Sequence, residues 1–493
     1  MTGITYQPFG AASGWSALGQ AHRRSFNLDG HVTGITTPDL NITMGYDQAE
    51  RLSTLQEGKL GLQRFGYAGN GWLDRYTFTD GITGRYDFDP SGNRTAQRDG
   101  VKGTVTSVIA GNSNQVTSVT KNNGKTVPMR HDLAGNLTFD GVQDVELSYD
   151  GANRASGVKN KGTQYRYNHA DQRVEKLGPG TRGVGKEIYA YDLSGLMGGV
   201  YGPDAKPLWE TVRLDGAPVA VLGGDNKAYA AHPDYRGAPI RLNGANGAMV
   251  WDWQASGPWA DVSPLHYTPG LSAAFPFHYR ERLPGQFYDD ETDMNYNGAR
   301  IYNMHLGRFN QPDPVLQLDG LSPYAYANNN PVGFVDVDGK NWVVVQYSPQ
   351  SAANPFGHTG IGSATPSSSV KTMGFYPAYT ASTWDKVTGA PVPGIMKWDT
   401  DERSRLAETE LQTNSSQDAL IEIYLQSIID NKPKYETYNN NCAQVVGNAL
   451  REGGVPVPNN ILTPSDLTKW LAGYQRFTPR PRSSTAYTYA PQP

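Results

Sequence analysis

The chain has 493 residues, a formal net charge of -4 and a single cysteine, and it is rich in glycine (56) and tyrosine (29). One cysteine excludes an intramolecular disulfide and a cysteine-based zinc cluster, and the slight negative charge argues against a nucleic-acid binder. No apolar run approaches the roughly 18 residues of a membrane span.

The N-terminal stretch, MTGITYQPFGAASGW, has no basic region followed by an apolar one. A signal peptide is therefore not predicted, and we expect the protein to be made in the cytoplasm. If it leaves the cell, a dedicated secretion machine must carry it.

A short turn motif recurs through residues 1–280. It has Tyr or a neighbour, then Asp or Asn, two spacers, Gly or Asn, and often Arg. Asp and Gly-Asn close hairpin turns, and Tyr fills a pleated face, so each copy predicts a turn between two strands. Such units stack into one continuous sheet, although an ordinary β-sandwich is the alternative. The copies are Tyr46–Arg51, Asp89–Arg94, Asp132–Asn136, Tyr149–Arg154, Tyr167–Arg173 and, more weakly, Tyr191–Gly195.

These copies resemble YD repeats. The resemblance implies a curved, spiralling antiparallel sheet that forms a hollow shell.

Residues 281–340 combine short aromatic pairs with Gly, Asn, Asp and Pro, a composition typical of short strands and tight turns. The segment resembles the RHS-associated core that ends the repeat region of RHS/YD-repeat proteins. The matching motifs, in the family's order, are Pro284–Gln286, Tyr288–Asp289, Gly307–Phe309, Asp313–Pro314, Tyr324–Tyr326, Asn329–Val332 and Asp336–Gly339.

The resemblance also implies self-cleavage by aspartates. Asp313 and Asp336 match the two family positions, and the cleavage point would lie between Lys340 and Asn341. Two carboxylates sharing a proton can act as acid and base on water. Alternatively, both aspartates only close turns, as Asp-Pro and Asp-Gly often do.

The composition changes after Lys340, and residues 341–477 are predicted to form a separate α+β domain with residues 478–493 as a disordered tail. A Thr-, Pro- and Gly-rich loop is expected over 378–395. The predicted elements are strands at Trp342–Tyr347, His358–Gly362 and Met373–Pro377, a helix at Gln417–Asn431, an extended stretch at Lys434–Tyr438, and helices at Cys442–Glu452 and Leu467–Tyr474, the last capped by Thr463–Asp466.

Cys442 begins a predicted helix. A thiol there would face unpaired N–H groups and the positive end of the helix dipole, which favours the thiolate and an oxyanion beside it. The domain has one histidine, His358, which could serve as the base. Alternatively, Cys442 is a small buried hydrophobe and His358 has no special role. A metal site is not predicted, because one His and one Cys do not make a ligand set, and no cofactor is expected.

The segments around His358 and Cys442 resemble the permuted NlpC/P60 branch of the papain-like superfamily, which includes lecithin–retinol acyltransferase-like proteins. The resemblance implies a cysteine hydrolase in which the histidine precedes the cysteine. Tyr438 is a candidate oxyanion donor. The residue that would orient the imidazole is unassigned, because Ser369, Lys371 and Thr372 occupy its expected neighbourhood.

A repeat shell, a core segment and an unrelated small domain together resemble polymorphic toxins. The resemblance implies an antibacterial effector, delivered into a target bacterium by a carrier such as a type VI secretion system, with the toxin domain held inside the shell. The expected substrates are phospholipid acyl esters or peptidoglycan amides, and the expected partner is a cognate immunity protein. A deamidase or transglutaminase-type toxin and a non-enzymatic adhesion module are the alternatives.

Overall fold

A computed structural model of the protein shows two compact units. The first comprises residues 1–192, 196–313 and 319–339, and the second comprises 193–195, 314–318 and 340–493. Between residues 342 and 411 the structure describes the backbone of the strands and, among their side chains, that of Phe375. The structure describes residues 1–7, 11–28, 30–58, 61–78, 83–100, 103–179, 185–192, 195–253, 257–261, 265–266, 278–313, 322–336, 342–347, 358–363, 373–377, 392–398, 405–411, 421, 424–425, 427–428, 433–435, 441–452, 455, 457–458, 460–461 and 463–477.

One antiparallel sheet of 26 strands makes up most of the described first unit. Each strand pairs with the next one along the chain, so the sheet is a continuous meander, as the repeats predict. The strands, β1–β26, are Thr2–Tyr6, Ala12–Ala17, Gln20–Phe26, Val32–Thr37, Leu40–Tyr46, Leu52–Glu57, Gly61–Tyr67, Leu73–Thr77, Thr83–Phe88, Arg94–Asp99, Gly103–Ile109, Val116–Thr120, Thr126–His131, Leu137–Asp140, Val145–Tyr149, Ala155–Val158, Thr163–Tyr167, Arg173–Leu177, Lys186–Tyr191, Met197–Tyr201, Pro207–Leu214, Ala217–Gly223, Ala228–Pro233, Pro239–Gly244, Met249–Asp252 and Leu265–His266.

An aspartate closes each of the predicted repeat turns except one, in which Asn168 takes its place, and Asp150 shows how. Its Oδ1 accepts hydrogen bonds from the backbone N–H groups of Ala152 and Arg154, both at 3.0 Å, while its own N–H donates to the Arg154 carbonyl at 2.9 Å. Asn153 takes a φ of 59°, in the left-handed region. Gly and Asn adopt this conformation most readily, which explains why they recur at this place in the motif.

Where a repeat has a tyrosine before its turn, the tyrosine hydroxyl binds a main-chain carbonyl beside the preceding turn. Tyr167, at the end of β17, donates its hydroxyl to the Ala155 carbonyl at the start of β16, and the distance is 2.8 Å. This hydrogen bond satisfies a main-chain carbonyl at the start of the strand, where β-sheet pairing begins. The same contact joins Tyr46 to Val32, Tyr67 to Leu52, Tyr149 to Leu137 and Tyr191 to Arg173.

Strands that are far apart in the meander meet in space. The Gln20 amide donates to the Gly244 carbonyl at 2.8 Å, and Arg241 Nη1 lies 2.9 Å from Asp39 Oδ2. A small apolar cluster lies at the same seam and contains Ala12, Trp15, Ala17, Val219 and Ala230. The sheet is therefore curved enough to bring β2–β5 against β22–β24. This curvature agrees with the shell-like sheet implied by the repeats.

A second sheet of four strands lies in the core segment. Side chains of this segment bind carbonyls of successive repeat turns: Arg308 binds Asn114, Tyr324 binds Gly135 and Asn329 binds Gly92, at 2.7–2.8 Å. The family-like motif thus supplies donors to the repeat array. The strands, β27–β30, are Gln286–Asp289, Met294–Asn297, Arg300–Asn303 and Arg308–Phe309, and short 3-10 turns cover Lys159–Lys161 and Ala327–Asn329.

A buried ion cluster also joins the core segment to the meander. Arg173 on β18 makes a bidentate pair with Asp289 on β27, at 2.6 and 2.9 Å, and Lys176 lies 3.2 Å from Asp289 and 3.0 Å from Glu291. All four side chains are at most 3% exposed. Although burial alone would raise the pKa of the Asp289 carboxyl, Arg173 and Lys176 lower it below its usual value.

The described part of the second unit contains a six-stranded sheet and two helices that pack against it. The strands, β31–β36, are Trp342–Tyr347, His358–Ser363, Met373–Pro377, Val392–Trp398, Arg405–Leu411 and Lys434–Tyr435, and the helices are α1, Cys442–Glu452, and α2, Pro464–Phe477. The strand order is β35-β31-β32-β33-β34-β36. Helix α1 lies against β32 and β33, and α2 lies against β31 and β35.

Two predictions for this domain are corrected, and one strand was missed. The loop expected over 378–395 is wrong from Val392 onward, because β34 begins there despite its Pro and Gly. Strand β35 was not predicted, because its pairing with the distant β31 stabilises it. Helix α2 begins at Pro464 rather than Leu467, since Thr463 is its N-cap and exchanges hydrogen bonds with Asp466.

The helix predicted at Cys442–Glu452 has those bounds in the structure. Of the stretch Gln417–Asn431, residues 421, 424, 425, 427 and 428 are helical, and the others lie outside the described residues. The tail 478–493 also lies outside them. The core of this unit is apolar and contains Ile421, Leu425, Ala443, Val446, Ala449, Leu450, Val455, Val457, Ile461, Leu467 and Leu471.

Candidate functional site

Asp313 and Asp336, the two carboxylates identified in the sequence, meet at one guanidinium group. Arg300 Nη2 lies 3.0 Å from Asp313 Oδ2 and 2.9 Å from Asp336 Oδ2. The Arg300 and Asp313 side chains are 1% exposed and that of Asp336 is 9% exposed. Both carboxylates therefore contact one nitrogen atom in a nearly dry site.

Arg300 is itself held firmly. It begins β29, and its guanidinium carbon lies 3.5 Å from the centre of the Phe309 ring on β30. A cation stacked on an aromatic face in the protein interior is stabilised by the ring's electrons. The guanidinium therefore has a defined position from which it can hold the two carboxylates.

The Asp336 main chain is bound as well. Asn297, at the end of β28, donates from Nδ2 to the Asp336 carbonyl oxygen at 3.0 Å. The proposed cleavage point between Lys340 and Asn341 lies outside the described residues.

Asn441 caps the helix that begins at Cys442. Its Oδ1 accepts hydrogen bonds from the N–H groups of Ala443 (3.0 Å) and Gln444 (3.2 Å), and the Gln444 side chain accepts one from the Asn441 N–H at 3.1 Å. This reciprocal pair is a capping box that fixes the first turn of α1. The cap places Cys442 at the first helical position, where its side chain is 4% exposed.

The cap corrects one part of the sequence argument. The N–H groups of Ala443 and Gln444 were expected to be unpaired and available to an oxyanion, but Asn441 binds both. An oxyanion beside Cys442 would therefore depend on other donors.

His358 is the first residue of β32, where its backbone pairs with Tyr347 on β31. The strand that carries His358 and the helix that begins at Cys442 lie against each other. Tyr438 lies outside the described residues, as do Ser369, Lys371 and Thr372. The pairing of Cys442 with His358 therefore remains a prediction.

The described residues contain no group of three His, Cys, Asp or Glu side chains positioned to bind a metal. In the same part of the chain, none of the helices combines the length and apolar character needed to cross a bilayer.

Sequence reasoning missed Arg300 and Asn297, which face each other across the β28–β29 hairpin. Both occur in Asn295–Arg300, between the family-like motifs that were identified. The one available signal was an arginine beside a Gly-containing turn.

Known proteins resemble this chain over parts of their length. It is 28% identical over 285 residues to the tRNA3(Ser)-specific nuclease WapA of Bacillus spizizenii, covering 55% of this chain and 11% of that protein. It is 26% identical over 356 residues to the double-stranded DNA deaminase toxin A of Burkholderia cenocepacia, covering 66% and 24%. No family model matches the chain.

Among solved structures, the crystal structure of TcdB2-TccC3-Cdc42 superimposes with a TM-score of 0.55 and 15% identity, over 68% of this chain and 19% of that one. This likeness shows the fold alone. The chain spans between about a tenth and a quarter of the curated relatives described above. The structural likeness agrees with the mainly antiparallel β fold of the described residues, and a toxin role for this chain is a proposal. The similarities do not extend to a papain-like hydrolase, which stays a proposal.

Proposed function

We propose that the chain is a self-cleaving RHS-like toxin in which Asp313 and Asp336 hydrolyse the bond between Lys340 and Asn341. One carboxylate takes a proton from water while the water oxygen attacks the Lys340 carbonyl carbon. The other, protonated, gives its proton to the Asn341 nitrogen as the C–N bond breaks. The contact of both carboxylates with Arg300 Nη2 is the observation that supports this function.

The division of labour follows from the charges. In this mechanism one carboxyl group is charged and the other is protonated, and their shared contact with Arg300 is proposed to keep both within reach of one substrate bond. The low exposure of the site strengthens each electrostatic interaction because little water screens it.

The test is whether the purified chain acquires a new N-terminus at Asn341. Intact-mass measurements over days monitor this cleavage. Asp313→Asn and Asp336→Asn should each leave the chain at full length. Asp140→Asn is the control, because Asp140 is equally buried in the meander and binds Asn303 rather than Arg300. A wild-type chain that stays intact, or cleavage that survives both core substitutions, would overturn the proposal.

For the C-terminal domain we propose a cysteine hydrolase with Cys442 as nucleophile and His358 as base. The position of Cys442 as the first residue of α1 supports this role, since a thiol at a helix N-terminus is more easily ionised. The proposed substrates are acyl esters of phospholipids or amides of peptidoglycan. Tyr438 is the proposed oxyanion donor. A cognate immunity protein and a secretion-system carrier are the proposed partners.

A nucleic-acid target is the second candidate, because two of the relatives are named as a tRNA nuclease and a DNA deaminase toxin. Zinc deaminases of nucleobases hold their metal with two or three cysteines. This chain has one cysteine, so that metal chemistry does not fit it. A cysteine-dependent deamidase or transglutaminase remains compatible with the same thiol.

The experiment is expression of the full chain in the cytoplasm and, separately, in the periplasm of a susceptible bacterium. Cys442→Ser and His358→Ala should each abolish growth inhibition. Asn448→Ala, on the same helix, should not. Lipids, peptidoglycan fragments, RNA and DNA from the inhibited cells are then compared by mass spectrometry. Full toxicity of Cys442→Ser would refute thiol catalysis, and damage confined to RNA or DNA would favour the second candidate.

Enclosure of the C-terminal domain by the repeat sheet is also part of the proposal. Limited proteolysis should leave residues 341–477 intact in the full chain. Rapid loss of this region while the repeats persist would argue against enclosure.

A further inference from the structure

Lys176 is a fully buried lysine that contacts two carboxyl groups. Its Nζ lies 3.0 Å from Glu291 Oε2 and 3.2 Å from Asp289 Oδ1, and the three side chains are at most 3% exposed. A third carboxylate, Glu187, is farther away, at 3.8 Å. Lys176 is on β18 and Glu291 lies in the turn between β27 and β28, so the contact joins the repeat array to the core segment. An amine and a carboxyl group held together away from water are the two reactants of an amide bond.

Arg173 makes the two nearer carboxyl groups different. It pairs with both oxygens of Asp289, at 2.6 and 2.9 Å. Burial alone would raise the pKa of that carboxyl, but Arg173 and Lys176 lower it, so Asp289 is held as an anion, a form that accepts a proton but resists attack by an amine. Burial, reinforced by the charge of Asp289, raises the pKa of Glu291 and favours its uncharged acid. An amine attacks the uncharged acid, so Glu291 is the acceptor and Asp289 is the base.

Tyr165, on β17, completes the arrangement. Its hydroxyl donates a hydrogen bond to Glu291 Oε1 at 2.5 Å, and this oxygen would gain negative charge when a nitrogen bonds to the carboxyl carbon. The rings of Tyr165, Tyr189 and Tyr296 surround the Arg173 guanidinium, whose carbon lies 4.2–5.1 Å from their centres. These rings help to keep water from the cluster, and the exclusion of water protects an amide product from hydrolysis.

We propose that Lys176 and Glu291 form a side-chain amide bond that links the repeat array covalently to the core segment. Asp289 first takes a proton from the Lys176 ammonium group. The nitrogen lone pair then bonds to Glu291 Cδ, and the C=O electron pair moves to Oε1, where Tyr165 donates. Asp289 passes its proton to the Oε2 hydroxyl, and that C–O bond breaks as the C=O bond re-forms. The products are one amide, one water molecule and one proton, which leaves the nitrogen for solvent.

The position of the bond gives it a structural consequence. Lys176 and Glu291 are 115 positions apart, so the amide closes the chain between them into a covalent ring. A cross-link of this kind stabilises a fold mainly by restricting the unfolded chain, as a disulfide does. The cross-link is independent of the proposed self-cleavage, because both of its residues precede Lys340.

The test is peptide mass spectrometry of the full wild-type chain, digested with trypsin after prolonged incubation. Trypsin does not cut after an acylated lysine, so the bond should yield one branched peptide made of residues 174–182 and 283–300. Its mass should be one water molecule below the sum of the two segments, and fragmentation should place the link at Glu291. Recovery of the two segments unlinked, a link at Asp289, or a loss of water confined to one segment would overturn the proposal.

Two variants test the assigned roles, with the linked fraction followed over time after cell-free synthesis. Asp289→Asn removes the base and should slow bond formation about 100-fold or more. Tyr165→Phe removes the donor to Oε1 and should slow it about 100-fold. Tyr201→Phe is the matched control, because the Tyr201 hydroxyl makes the same 2.5 Å contact with Glu210, and it should leave the rate unchanged. Equal rates for the two phenylalanine variants would overturn the role of Tyr165, and an unchanged rate in Asp289→Asn would overturn that of the base.

An exposed pair in the same chain tests the need for burial. Lys206 Nζ lies 3.0 Å from Asp204 Oδ2, as close as Lys176 lies to Glu291, but these side chains are 83% and 54% exposed. The exposed pair should stay unlinked in the digest that contains the branched peptide. Linkage of both pairs would show that burial is not what promotes the bond, and the wild-type digest decides the proposal even where a variant fails to fold.

Discussion

Replacement of Arg173 by methionine tests how strongly the core segment is tied to the repeats. Methionine keeps much of the side-chain volume and removes the charge. The substitution breaks a bidentate pair with Asp289 whose side chains are 1% and 2% exposed. Removing one partner of a buried ion pair typically costs about 3–5 kcal/mol, because a charge is left buried. Lys176, 3.2 Å from Asp289, remains, so we expect a loss near the lower end of about 3 kcal/mol.

Arg154→Met is the matched control. Arg154 pairs with Asp150 at 2.7 Å and stacks over Tyr167 at 4.9 Å, but its side chain is 25% exposed. Solvent-exposed pairs contribute about 0.2–1 kcal/mol. The difference between the two variants therefore measures the effect of burial on the same chemistry.

The free energy of unfolding of each variant is measured by urea unfolding of the full chain. Hydrogen exchange of peptides from β18 and β27 shows which unfolding transition opens the two strands that the ion pair joins. The double variant Arg173→Met with Asp289→Leu should recover much of the loss, since no charge is stranded. The folded pKa of Asp289 is lowered, so the contribution of its charge is present above about pH 4 and is lost as the pH falls further. Equal losses for Arg173→Met and Arg154→Met at pH 7 would refute the reasoning.

Three further predictions concern the meander and the core segment. Burial lowers the pKa of His22 to about 2, so the folded state keeps it neutral while the unfolded chain takes a proton below pH 6.5. Lowering the pH from 6.5 to 5 should therefore reduce the free energy of unfolding of the wild type by about 2 kcal/mol through His22. His22→Phe should remove this loss, as measured from urea unfolding midpoints at the two pH values. Tyr167→Phe removes the 2.8 Å hydrogen bond to the Ala155 carbonyl and should lower the free energy of unfolding by about 1 kcal/mol in the same assay. Gly307→Ala should lower the melting temperature more than Gly247→Ala. Both glycines have a positive φ, but only at Gly307 would the new Cβ lie against a neighbour, Trp259, at 2.7 Å. Equal shifts in melting temperature would contradict this reasoning.

The repeat array was predictable because its chemistry is local. Asp150 makes its turn contacts with residues two and four positions away, so the motif that the sequence displays already contains the hydrogen-bonding partners. The Gly or Asn that follows meets a conformational requirement that is also local. Long-range pairings do not alter these turns, and the antiparallel meander follows from them.

The charges that join distant segments could not be predicted in this way. Arg173 belonged to a repeat motif, where the local pattern favours a surface role, but it is buried against Asp289, 116 positions away. Strand β35 gave no clear periodic signal because it depends on β31 for its partner. The sequence identified the carboxylates of Asp313 and Asp336 by resemblance, but not the cation between them.

Within the candidate site, the contacts bear on the choice between turn closure and catalysis. An aspartate that only closes a turn directs its carboxylate at the N–H groups of its own loop, as Asp47 and Asp150 do. Asp313 and Asp336 each direct a carboxylate oxygen at Arg300, which belongs to another hairpin. The turn-closing aspartates also contact an arginine, but Arg51 and Arg154 belong to the same turn as their aspartate. The Asp313→Asn and Asp336→Asn variants separate catalysis from turn closure: turn closure predicts altered stability with unchanged cleavage, and catalysis predicts the loss of cleavage.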